Sequence, residues 1–314
     1  MQKVIINSGK EIDGLFECAF VLTDSNLDRI YGGMLPNNKF VIKAGEVSKT
    51  LYTVEKLADA MLKAGVKRGD KVAAFGGGVV GDILGFTASV YMRGINWCFV
   101  PTSLLAMADS CIGGKTGVNV GLIKNAVGSF NLPEVVYIET KYLHSLPKRE
   151  YESGIGEIVK TSLIDAELYS LMHKKYEIVD AIERCIKVKS DIVERDLRDN
   201  GARKALNMGH TVGHAIEMLT GLPHGKCVLL GLRYELLMLR DLLEHNFFYE
   251  LQSYLNNFIG KIDLNLEPEA ITVIAASDKK NNKGISIMCP YAIGDVREVV
   301  LSERQFLRLL KEAM

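Results

Sequence analysis

The first half of the chain alternates between short apolar stretches and longer stretches with helical periodicity, and this alternation constrains the fold more than any other feature. The apolar stretches cover residues 17–22, 39–43, 72–75, 97–100 and 135–138. Helix-like segments lie between them, for example at 51–64 and 80–90. Strands and helices in alternation predict a mostly parallel sheet with helices on its faces.

After about Lys148 the sequence pattern changes from alternating strand-like and helical stretches to longer amphipathic segments. Amphipathic segments then follow at 150–174, 178–195, 204–220 and 228–244, and two short strand-like runs, 285–288 and 296–301, predict a hairpin around the Gly294-Asp295 turn. We therefore predict two domains, with the boundary uncertain by about ten residues. The fold class is α/β plus all-α: a Rossmann-like parallel-sheet domain at residues 1–147 and a helical domain at 148–314.

Composition excludes several classes of function. The 314 residues contain 38 Lys plus Arg and 38 Asp plus Glu, and this balance argues against a general nucleic-acid binder. Six scattered cysteines without a CxxC pair predict a reduced, cytoplasmic protein rather than a disulfide framework. We find neither an apolar signal core at the N-terminus nor a run of about 18 apolar residues, so we expect no membrane association.

The segment NMGHTVGHAIE places His210 and His214 four residues apart, with His224 soon after. On a helix the first two imidazoles lie on one face, about one turn apart. Such a group indicates a metal site. The alternative is a pair of core histidines that are satisfied by hydrogen bonds.

Glu157 and Lys160 lie three residues apart at the start of another predicted helix. They form either an intrahelical ion pair or part of a functional set. Glu157 with His210 and His224 would leave a coordination position open for substrate, as in catalytic zinc sites.

Three further polar residues are candidates for an anion site. Arg203 and Asn207 precede His210 by about two turns and one turn, so we expect them to share its helix face. Lys189, on the preceding helix, either joins them or lies on an exposed charged face.

The stretch GGGVVGD, from Gly76 to Asp82, follows a predicted strand and opens a helix. Glycines let a ligand approach the backbone, and the N–H groups of a helix start attract phosphate. The spacing is not the GxGxxG fingerprint, and a tight strand–helix turn is the alternative explanation.

A second glycine cluster, GGKTGVN, ends a stretch that superficially resembles a P-loop. Asp109 stands where the first glycine of that motif is required, so we reject an NTPase. Lys115, Lys124 and Asn125 either contact an anionic ligand or lie solvated at the surface.

Taken together, these segments resemble the 3-dehydroquinate synthase family. The matching stretches are GGGVVGDILGFTASVYMRG, VPTSLLAMADSCIGGKTGVN, IKNAVGSFNLP, LPKREYESGIGEIVK, RKALNMGHTVGHAIE and DKK at 278–280, in order from Gly76 to Lys280. The resemblance implies an N-terminal nucleotide-binding α/β domain and a C-terminal helical domain that binds metal and substrate.

The resemblance also implies bound NAD⁺ and a divalent metal, usually zinc, with cobalt possible. The metal ligands would be Glu157, His210 and His224, whereas His214 would lie near the substrate. The NAD site would use Asp24, Asn26, Glu46, Lys49, Gly77, Gly78, Val79, Asp82, Thr102, Ser103, Lys115, Lys124, Tyr142 and Ser145. Substrate contacts would come from Asp109, Lys115, Asn125, Lys160, Lys189, Arg203, Asn207, His214 and Lys280. Arg93 would reach the substrate phosphate of a neighbouring subunit, which implies a homodimer.

The family reaction converts 3-deoxy-D-arabino-heptulosonate 7-phosphate into 3-dehydroquinate and phosphate in the shikimate pathway of aromatic amino-acid biosynthesis. The resemblance implies transient oxidation by NAD⁺, loss of phosphate, re-reduction, ring opening and an intramolecular aldol closure. Lys115, Lys160, Lys189 and Arg203 supply positive charge for a substrate that carries phosphate and carboxylate.

Some positions depart from the family pattern. Lys226 follows His224-Gly225 where glutamate is usual, the link from His214 to His224 is shorter, and the N-terminal region is short. Further departures are Leu197, Asp199, Ser103 and Ser145. Our hypothesis is that Lys226 weakens metal binding by charge repulsion if its side chain points inward.

Other functions remain open at this point. Related cyclases, 2-deoxy-scyllo-inosose synthase and 2-epi-5-epi-valiolone synthase, use the same cofactors but differ around GGKTGVN, and an amino-substrate homologue is harder to exclude. A metal- and NAD-dependent alcohol or glycerol dehydrogenase would accumulate NADH. A non-catalytic binding protein is disfavoured by the intact Glu157, Lys160, His210, His214 and His224.

Overall fold

The computed structural model describes residues 2–121, 123–199, 201–260, 262, 264–277 and 284–314. Its Cα positions group the chain into two compact units, Met1–Pro147 and Lys148–Met314. No helix in the described ranges is long and apolar enough to cross a membrane.

The first unit is built on a six-stranded parallel sheet with the spatial order β1-β8-β5-β4-β2-β3. A separate antiparallel ribbon pairs β6 with β7. The strands are β1 (Lys3–Ile6), β2 (Phe20–Asp24), β3 (Lys39–Ile42), β4 (Lys71–Gly76), β5 (Asn96–Pro101), β6 (Lys115–Val120), β7 (Ile123–Phe130) and β8 (Val135–Ile138). The predicted parallel sheet is confirmed, whereas β1 and the ribbon were not predicted.

Four helices lie between the strands of this unit: α1 (Glu11–Phe16), α2 (Ser25–Tyr31), α3 (Leu51–Lys63) and α4 (Gly78–Val90). Side-chain caps begin two of them, because Asp24 accepts the N–H groups of Asn26 and Leu27 and Thr50 accepts that of Thr53. The N-cap residue of helix α4 is Gly77, so this helix begins at Gly78 without a side-chain cap.

The strand order has a reversal that matters for ligand binding. From β2 the chain continues to β3 on one side, whereas from β4 it continues to β5 on the other. Strands β2 and β4 are neighbours, with Phe20 opposite Val72. In open parallel sheets, ligands bind outside the carboxyl ends of the strands at such a switch point.

The second unit is largely helical. Its helices are α5 (Lys148–Ser162), α6 (Ala166–Met172), α7 (Ile178–Arg195), α8 (His210–Thr220), α9 (His224–Met238), α10 (His245–Ile259), α11 (Pro268–Ala276) and α12 (Glu303–Ala313). Strands β9 (Ile285–Ala292) and β10 (Asp295–Leu301) form an antiparallel hairpin, as predicted. The helical C-terminal half is likewise confirmed.

The prediction of a single helix over residues 204–220 is wrong. Residues Ala202–Asn207 form a short 3₁₀ helix, and Gly209, in the left-handed conformation at φ 71°, separates it from α8. The predicted helix at 150–174 is also interrupted, between α5 and α6. Arg203 and Asn207 therefore do not share the helix of His210, which corrects the expectation of one common helix face.

Glycines let three helices of this unit approach to backbone contact. A Cβ added to Gly225 on α9 would lie 1.8 Å from the Ser153 carbonyl oxygen on α5. A Cβ on Gly231, also on α9, would lie 2.0 Å from the Gly209 carbonyl oxygen at the start of α8. This packing brings the metal-ligand candidates on α5, α8 and α9 close together.

Candidate active site

One carboxylate and two imidazoles converge in the helical unit. Nε2 of His224 lies 3.2 Å and Nε2 of His210 lies 3.6 Å from Oε1 of Glu157. One ligand atom from each residue lies within 4.8 Å of the other two. Glu157 is buried, with 2% of its side chain exposed. Two imidazole nitrogens and a carboxylate oxygen are a donor set that fits Zn²⁺ or Co²⁺.

Hydrogen bonds orient both imidazole rings toward Glu157. Nδ1 of His210 lies 2.9 Å from the Met208 carbonyl oxygen, so it must donate there. Nδ1 of His224 lies 2.9 Å from Oε2 of Glu217. In the neutral ring, a proton on Nδ1 leaves the lone pair on Nε2, and a carbonyl or carboxylate partner of this kind commonly fixes a metal-binding histidine.

The pKa values of the three residues reflect how strongly they interact. Burial acts to raise the pKa of Glu157, but the Lys160 ammonium and the two histidines hold it well below its usual range. Burial holds the pKa of His210 well below its usual range, despite the attraction of Glu157. Burial acts to lower the pKa of His224, but hydrogen bonds to Glu157 and Glu217 raise it to about 9. Metal binding would therefore compete with a proton at His224.

A second set of residues with suitable spacing, His214, Glu217 and His224, shares one histidine with the first. In this set Glu217 already accepts the Nδ1 proton of His224, so a metal there would break that bond. His214 is exposed, and its ring centroid lies 5.0 Å from that of His210. The first set fits a metal better, since its imidazoles present Nε2 with Nδ1 already bound.

Among the residues of the helical unit that the structure describes, three cationic side chains are buried. Lys160 forms an ion pair with Oε2 of Glu157 at 2.5 Å. Lys189, on α7, is 7% exposed and Arg203 is 3% exposed, and Nη1 of Arg203 donates to the Leu197 carbonyl at 2.7 Å. Lys and Arg are rarely fully buried unless they are paired, and buried cations of this kind are candidates for binding an anionic substrate. Asn207 ends the 3₁₀ helix that carries Arg203, and Lys280 lies outside the described residues.

The condition for our hypothesis on Lys226 is not met. Its Nζ donates a hydrogen bond to the Phe258 carbonyl at 3.2 Å, at the C-terminal end of α10. A cation there stabilises unpaired helix carbonyls. The ammonium is therefore engaged by α10, and the structure gives no basis for repulsion of a metal.

In the first unit, the predicted cofactor residues follow the carboxyl ends of parallel strands. Asp24 ends β2, Glu46 and Lys49 follow β3, the glycine turn follows β4, Thr102 and Ser103 follow β5, and Tyr142 and Ser145 follow β8. Because these strands are parallel neighbours, their carboxyl ends meet at one edge of the sheet. The structure therefore brings this group together.

Contacts among these residues shape that edge. Lys49 forms an ion pair with Asp82 at 2.5 Å, and Glu46 accepts a hydrogen bond from Asn119 at 2.8 Å. An open cavity of about 440 Å³ lies beside Glu46 and Lys49, a volume in the range of ligand sites. The hydroxyl of Tyr142 donates to Glu11 at 3.1 Å.

The glycine turn has both a packing role and an open surface. A Cβ on Gly81 would lie 2.6 Å from the Phe99 ring, so this glycine permits α4 to pack on the sheet. A Cβ on Gly77 or Gly78 would meet only serine hydroxyls, at 3.3 and 3.1 Å. Gly77, Gly78 and Val79 form the uncapped start of α4, where backbone N–H groups are available to a phosphate.

The remaining predicted residues of this unit lie outside the sheet. Lys115 is on β6 and Lys124 and Asn125 are on β7, all exposed, and the N–H of Asn125 donates to the Asn119 side chain. Asp109 lies in a π-helical turn, Ala106–Ser110. Arg93 is exposed in a turn where both it and Met92 have positive φ.

Sequence reasoning missed Glu217 as the partner of His224. A signal was present, because Glu217 follows His214 by three residues and lies on the same helix. The contact to His224 nevertheless depends on how α8 and α9 pack, which the spacing does not reveal.

Comparisons with known proteins agree with the fold. The profile of the 3-dehydroquinate synthase N-terminal family matches residues 39–153, and that of the C-terminal family matches residues 154–281. A 3-dehydroquinate synthase from Alkaliphilus metalliredigens is 38% identical over 96% of this chain and 91% of its own length.

Solved structures of related enzymes share the fold. One is 2-epi-5-epi-valiolone synthase from Streptomyces hygroscopicus subsp. jinggangensis 5008, solved with NAD⁺ and Zn²⁺ bound. Its sequence is 25% identical to this chain, and the two structures superpose with a TM-score of 0.88 over 100% of this chain and 96% of that one. A 2-deoxy-scyllo-inosose synthase complexed with carbaglucose-6-phosphate, NAD⁺ and Co²⁺ is 23% identical at a TM-score of 0.86, covering 98% and 96%. Since the two family profiles together span most of the chain, this protein belongs to the 3-dehydroquinate synthase family.

Proposed function

We propose that this protein converts 3-deoxy-D-arabino-heptulosonate 7-phosphate into 3-dehydroquinate and phosphate, with NAD⁺ and a divalent metal as cofactors. The observation that carries the proposal is the convergence of Glu157, His210 and His224, with both Nδ1 atoms engaged and both Nε2 atoms directed at the carboxylate. The greater identity to a 3-dehydroquinate synthase, 38%, than to the two other cyclases, 25% and 23%, supports this substrate.

We propose Glu157, His210 and His224 as the metal ligands. When bound there, zinc or cobalt would act as a Lewis acid that lowers the pKa of a coordinated hydroxyl. Nδ1 of His210 donates to the Met208 carbonyl and Nδ1 of His224 donates to the Glu217 carboxylate, so Nε2 is the nitrogen left to bind the metal. The ion pair with Lys160 keeps the Glu157 carboxylate ionised while it is buried.

The buried cations suit a substrate that carries phosphate and carboxylate. Arg203 presents a planar guanidinium that can pair with two oxygens, and Lys160 and Lys189 present ammonium groups. The full proposed substrate set is Arg93, Asp109, Lys115, Asn125, Lys160, Lys189, Arg203, Asn207, His214 and Lys280. The placement of Lys160 and Lys189 on helices and of Arg203 in a 3₁₀ turn limits the reorganisation needed when charge develops on the substrate.

We propose the carboxyl edge of the parallel sheet as the NAD⁺ site. Bound there, NAD⁺ would accept and return a hydride, with no net redox change. The uncapped start of α4 at Gly77 and Gly78 would hold the pyrophosphate through backbone N–H groups. Asp24 and Glu46 provide carboxylates at strand ends for ribose hydroxyls. Residues 1–147 would thus bind NAD⁺, and residues 148–314 the metal and most of the substrate.

We further propose a cytoplasmic homodimer in which Arg93 serves the site of the partner subunit. Supporting this, Arg93 is exposed and its backbone is held in a left-handed conformation, with φ 67°, ahead of Gly94. Sedimentation analysis of the wild-type protein tests the dimer. Mixing inactive Arg93→Ala with inactive Glu157→Gln subunits would restore activity if sites are shared, and would not if each subunit is self-sufficient.

The main proposal is tested by phosphate release from the purified protein. With 3-deoxy-D-arabino-heptulosonate 7-phosphate, NAD⁺ and Zn²⁺, we expect phosphate and 3-dehydroquinate; EDTA should abolish both, and added Zn²⁺ should restore them. Failure to turn over this substrate, by protein that binds NAD⁺ and zinc, would contradict the proposed substrate. A net gain of NADH with an alcohol would instead favour a dehydrogenase.

A further inference from the structure

Helix α8 carries His210 and His214 but begins without a capping side chain of its own. The residue before its first turn is Gly209, at φ 71° and ψ −3°. A Cβ at this position would lie 2.5 Å from the Val228 carbonyl oxygen of α9 and 2.6 Å from the Leu232 side chain. Close packing against α9 therefore excludes the usual capping residues, and the N–H groups at this helix start need acceptors from elsewhere.

Those acceptors come from Glu235 on α9. Its Oε2 accepts the N–H of Gly209 at 2.9 Å, and its Oε1 accepts the N–H of Val212 at 3.0 Å. Val212 is the third residue of α8, whose N–H a capping side chain normally satisfies. The Glu235 side chain is buried, with 3% of the residue exposed.

The two hydrogen bonds bracket the metal-ligand candidate His210. They hold the backbone on both sides of it, from residue 209 to residue 212. The Nδ1 contact of the same ring is to the Met208 carbonyl, one residue before this clamped segment. The direction of the His210 Nε2 atom therefore depends on a segment whose position Glu235 determines.

We propose that Glu235 is a positioning residue for the metal site, which fixes His210 by capping α8 from the neighbouring helix. This inference rests on the proposed function, because it assumes that Glu157, His210 and His224 hold a divalent metal. In this scheme Glu235 binds neither metal nor substrate and acts through its hydrogen bonds to the backbone of α8.

Burial and hydrogen bonding act on the pKa of the Glu235 carboxyl group in opposite directions. Burial raises the pKa of Glu235 to about 8, while hydrogen bonds from the N–H groups of Val212, Gly209 and Thr211 act in the opposite direction. Both oxygens accept N–H bonds, which the ionised form does fully, and in that form the group also interacts favourably with the positive end of the helix dipole. A buried carboxyl group is costly unless it is hydrogen-bonded, so these N–H groups and Glu235 depend on each other.

The test replaces Glu235 by glutamine in the full chain and measures Co²⁺ binding. Glutamine has nearly the same volume, but its NH₂ group cannot accept a second N–H bond, so one bond to α8 is lost. We expect about 10-fold weaker Co²⁺ binding, at the low end of the 10–100-fold range for residues that orient ligands. The visible absorption bands of bound Co²⁺ should also change, because they report ligand geometry.

The matched control is Glu244→Gln. Glu244 caps α10 by accepting the N–H of Phe247 at 2.8 Å, so the same substitution removes charge from a cap on another helix. We expect wild-type Co²⁺ affinity and spectrum for this variant. A second control is Leu310→Ala on α12, which is destabilised because Leu310 is buried. It shows whether lost stability alone changes metal binding.

The outcomes separate this inference from the proposed function. If the wild-type chain binds no Co²⁺ and Glu157→Gln changes nothing, the proposed metal site is wrong. If the wild type binds Co²⁺ and Glu235→Gln has the same affinity and spectrum, the positioning role is overturned while the metal site stands. Should Glu235→Gln fail to fold, Glu235→Asp replaces it, and the rise in melting temperature caused by Co²⁺ must be smaller than in wild type; an equal rise overturns the inference.

Discussion

Replacing Glu217 by glutamine tests how far metal binding depends on a carboxylate outside the proposed ligand set. Oε2 of Glu217 accepts a hydrogen bond from Nδ1 of His224 at 2.9 Å, and Nε2 of the same ring lies 3.2 Å from Glu157. Glu217 therefore determines both which nitrogen carries the proton and how the ring is turned. Glutamine keeps an acceptor oxygen of similar position but loses the negative charge.

The size of the effect follows from the strength of this hydrogen bond. Bonds to charged groups contribute about 1.5–3 kcal/mol, against about 0.5–1.5 kcal/mol for neutral pairs, a difference of about 1–1.5 kcal/mol. Since about 1.4 kcal/mol corresponds to a factor of ten, we expect Glu217→Gln to bind Zn²⁺ about 10-fold more weakly. Glu217→Ala removes the acceptor and should approach a 100-fold loss.

The assay is competition for Zn²⁺ between the metal-free protein and a chromophoric chelator. Glu250→Gln is the matched control, because Glu250 also accepts a hydrogen bond, from the Tyr169 hydroxyl at 2.8 Å, within the same unit. The control should bind Zn²⁺ as wild type does. Equal Zn²⁺ affinity for Glu217→Gln and wild type would refute the argument that this carboxylate orients His224.

Three further predictions concern packing, charge and pH. In Gly225→Ala, the new Cβ would lie 1.8 Å from the Ser153 carbonyl oxygen. This variant should lower the free energy of unfolding by about 1–3 kcal/mol or more, measured by denaturation. It should also weaken Zn²⁺ binding, measured by chelator competition. Lys226→Glu should leave Zn²⁺ affinity unchanged, because Nζ of Lys226 is bound to the Phe258 carbonyl, and should destabilise the protein slightly in urea titrations. Asp165→Asn should cost about 1–1.5 kcal/mol near neutral pH, because the substitution removes the charge that pairs with Arg184. Asparagine keeps an oxygen that can cap α6 through the N–H of Leu168. The measurement is urea denaturation across pH.

The pH dependence of the last prediction has a definite sign. A hydrogen bond from Arg184, together with backbone N–H groups, lowers the pKa of Asp165 below its usual value, although burial opposes this. The stability that Asp165 contributes is therefore present above its unfolded-state pKa and is lost as pH falls through the folded-state value. The wild type and Asp165→Asn should differ at neutral pH and converge in acid. A difference in unfolding free energy that stays constant from neutral to acid pH would contradict this role for Asp165.

The outcomes for packing and charge are equally specific. Unchanged stability and Zn²⁺ binding in Gly225→Ala would mean that the close approach of α5 and α9 is not needed. A large change of Zn²⁺ affinity in Lys226→Glu would revive the idea that this side chain acts on the metal.

The sheet could be predicted from the sequence because its strands are short apolar runs between helical patterns. The runs at 72–75 and 97–100 fall within β4 and β5. The ribbon of β6 and β7 could not be found this way, since its sequences, KTGVNV and IKNAVGSF, mix polar residues and glycines with few apolar positions.

The candidate metal site was partly accessible to sequence reasoning. The spacing of His210 and His214 predicted imidazoles on one helix face, and their ring centroids lie 5.0 Å apart. The meeting of Glu157 and His224 was a hypothesis from their donor chemistry, and the family resemblance implied it too. Residue spacing does not reveal it, because their approach depends on glycine contacts between distant helices. The break at Gly209 and its replacement cap, Glu235, depend on packing between α8 and α9, which local propensity does not contain.

The most direct test of the central claim is the stoichiometry of one reaction. Purified protein with Zn²⁺, a trace of NAD⁺ and excess 3-deoxy-D-arabino-heptulosonate 7-phosphate is followed for phosphate, 3-dehydroquinate and NADH together. A redox-neutral cyclase predicts equal amounts of phosphate and 3-dehydroquinate, far exceeding the NAD⁺ supplied, with no accumulation of NADH. Turnover that stops when NAD⁺ is consumed, or NADH formed in step with product, would contradict the account.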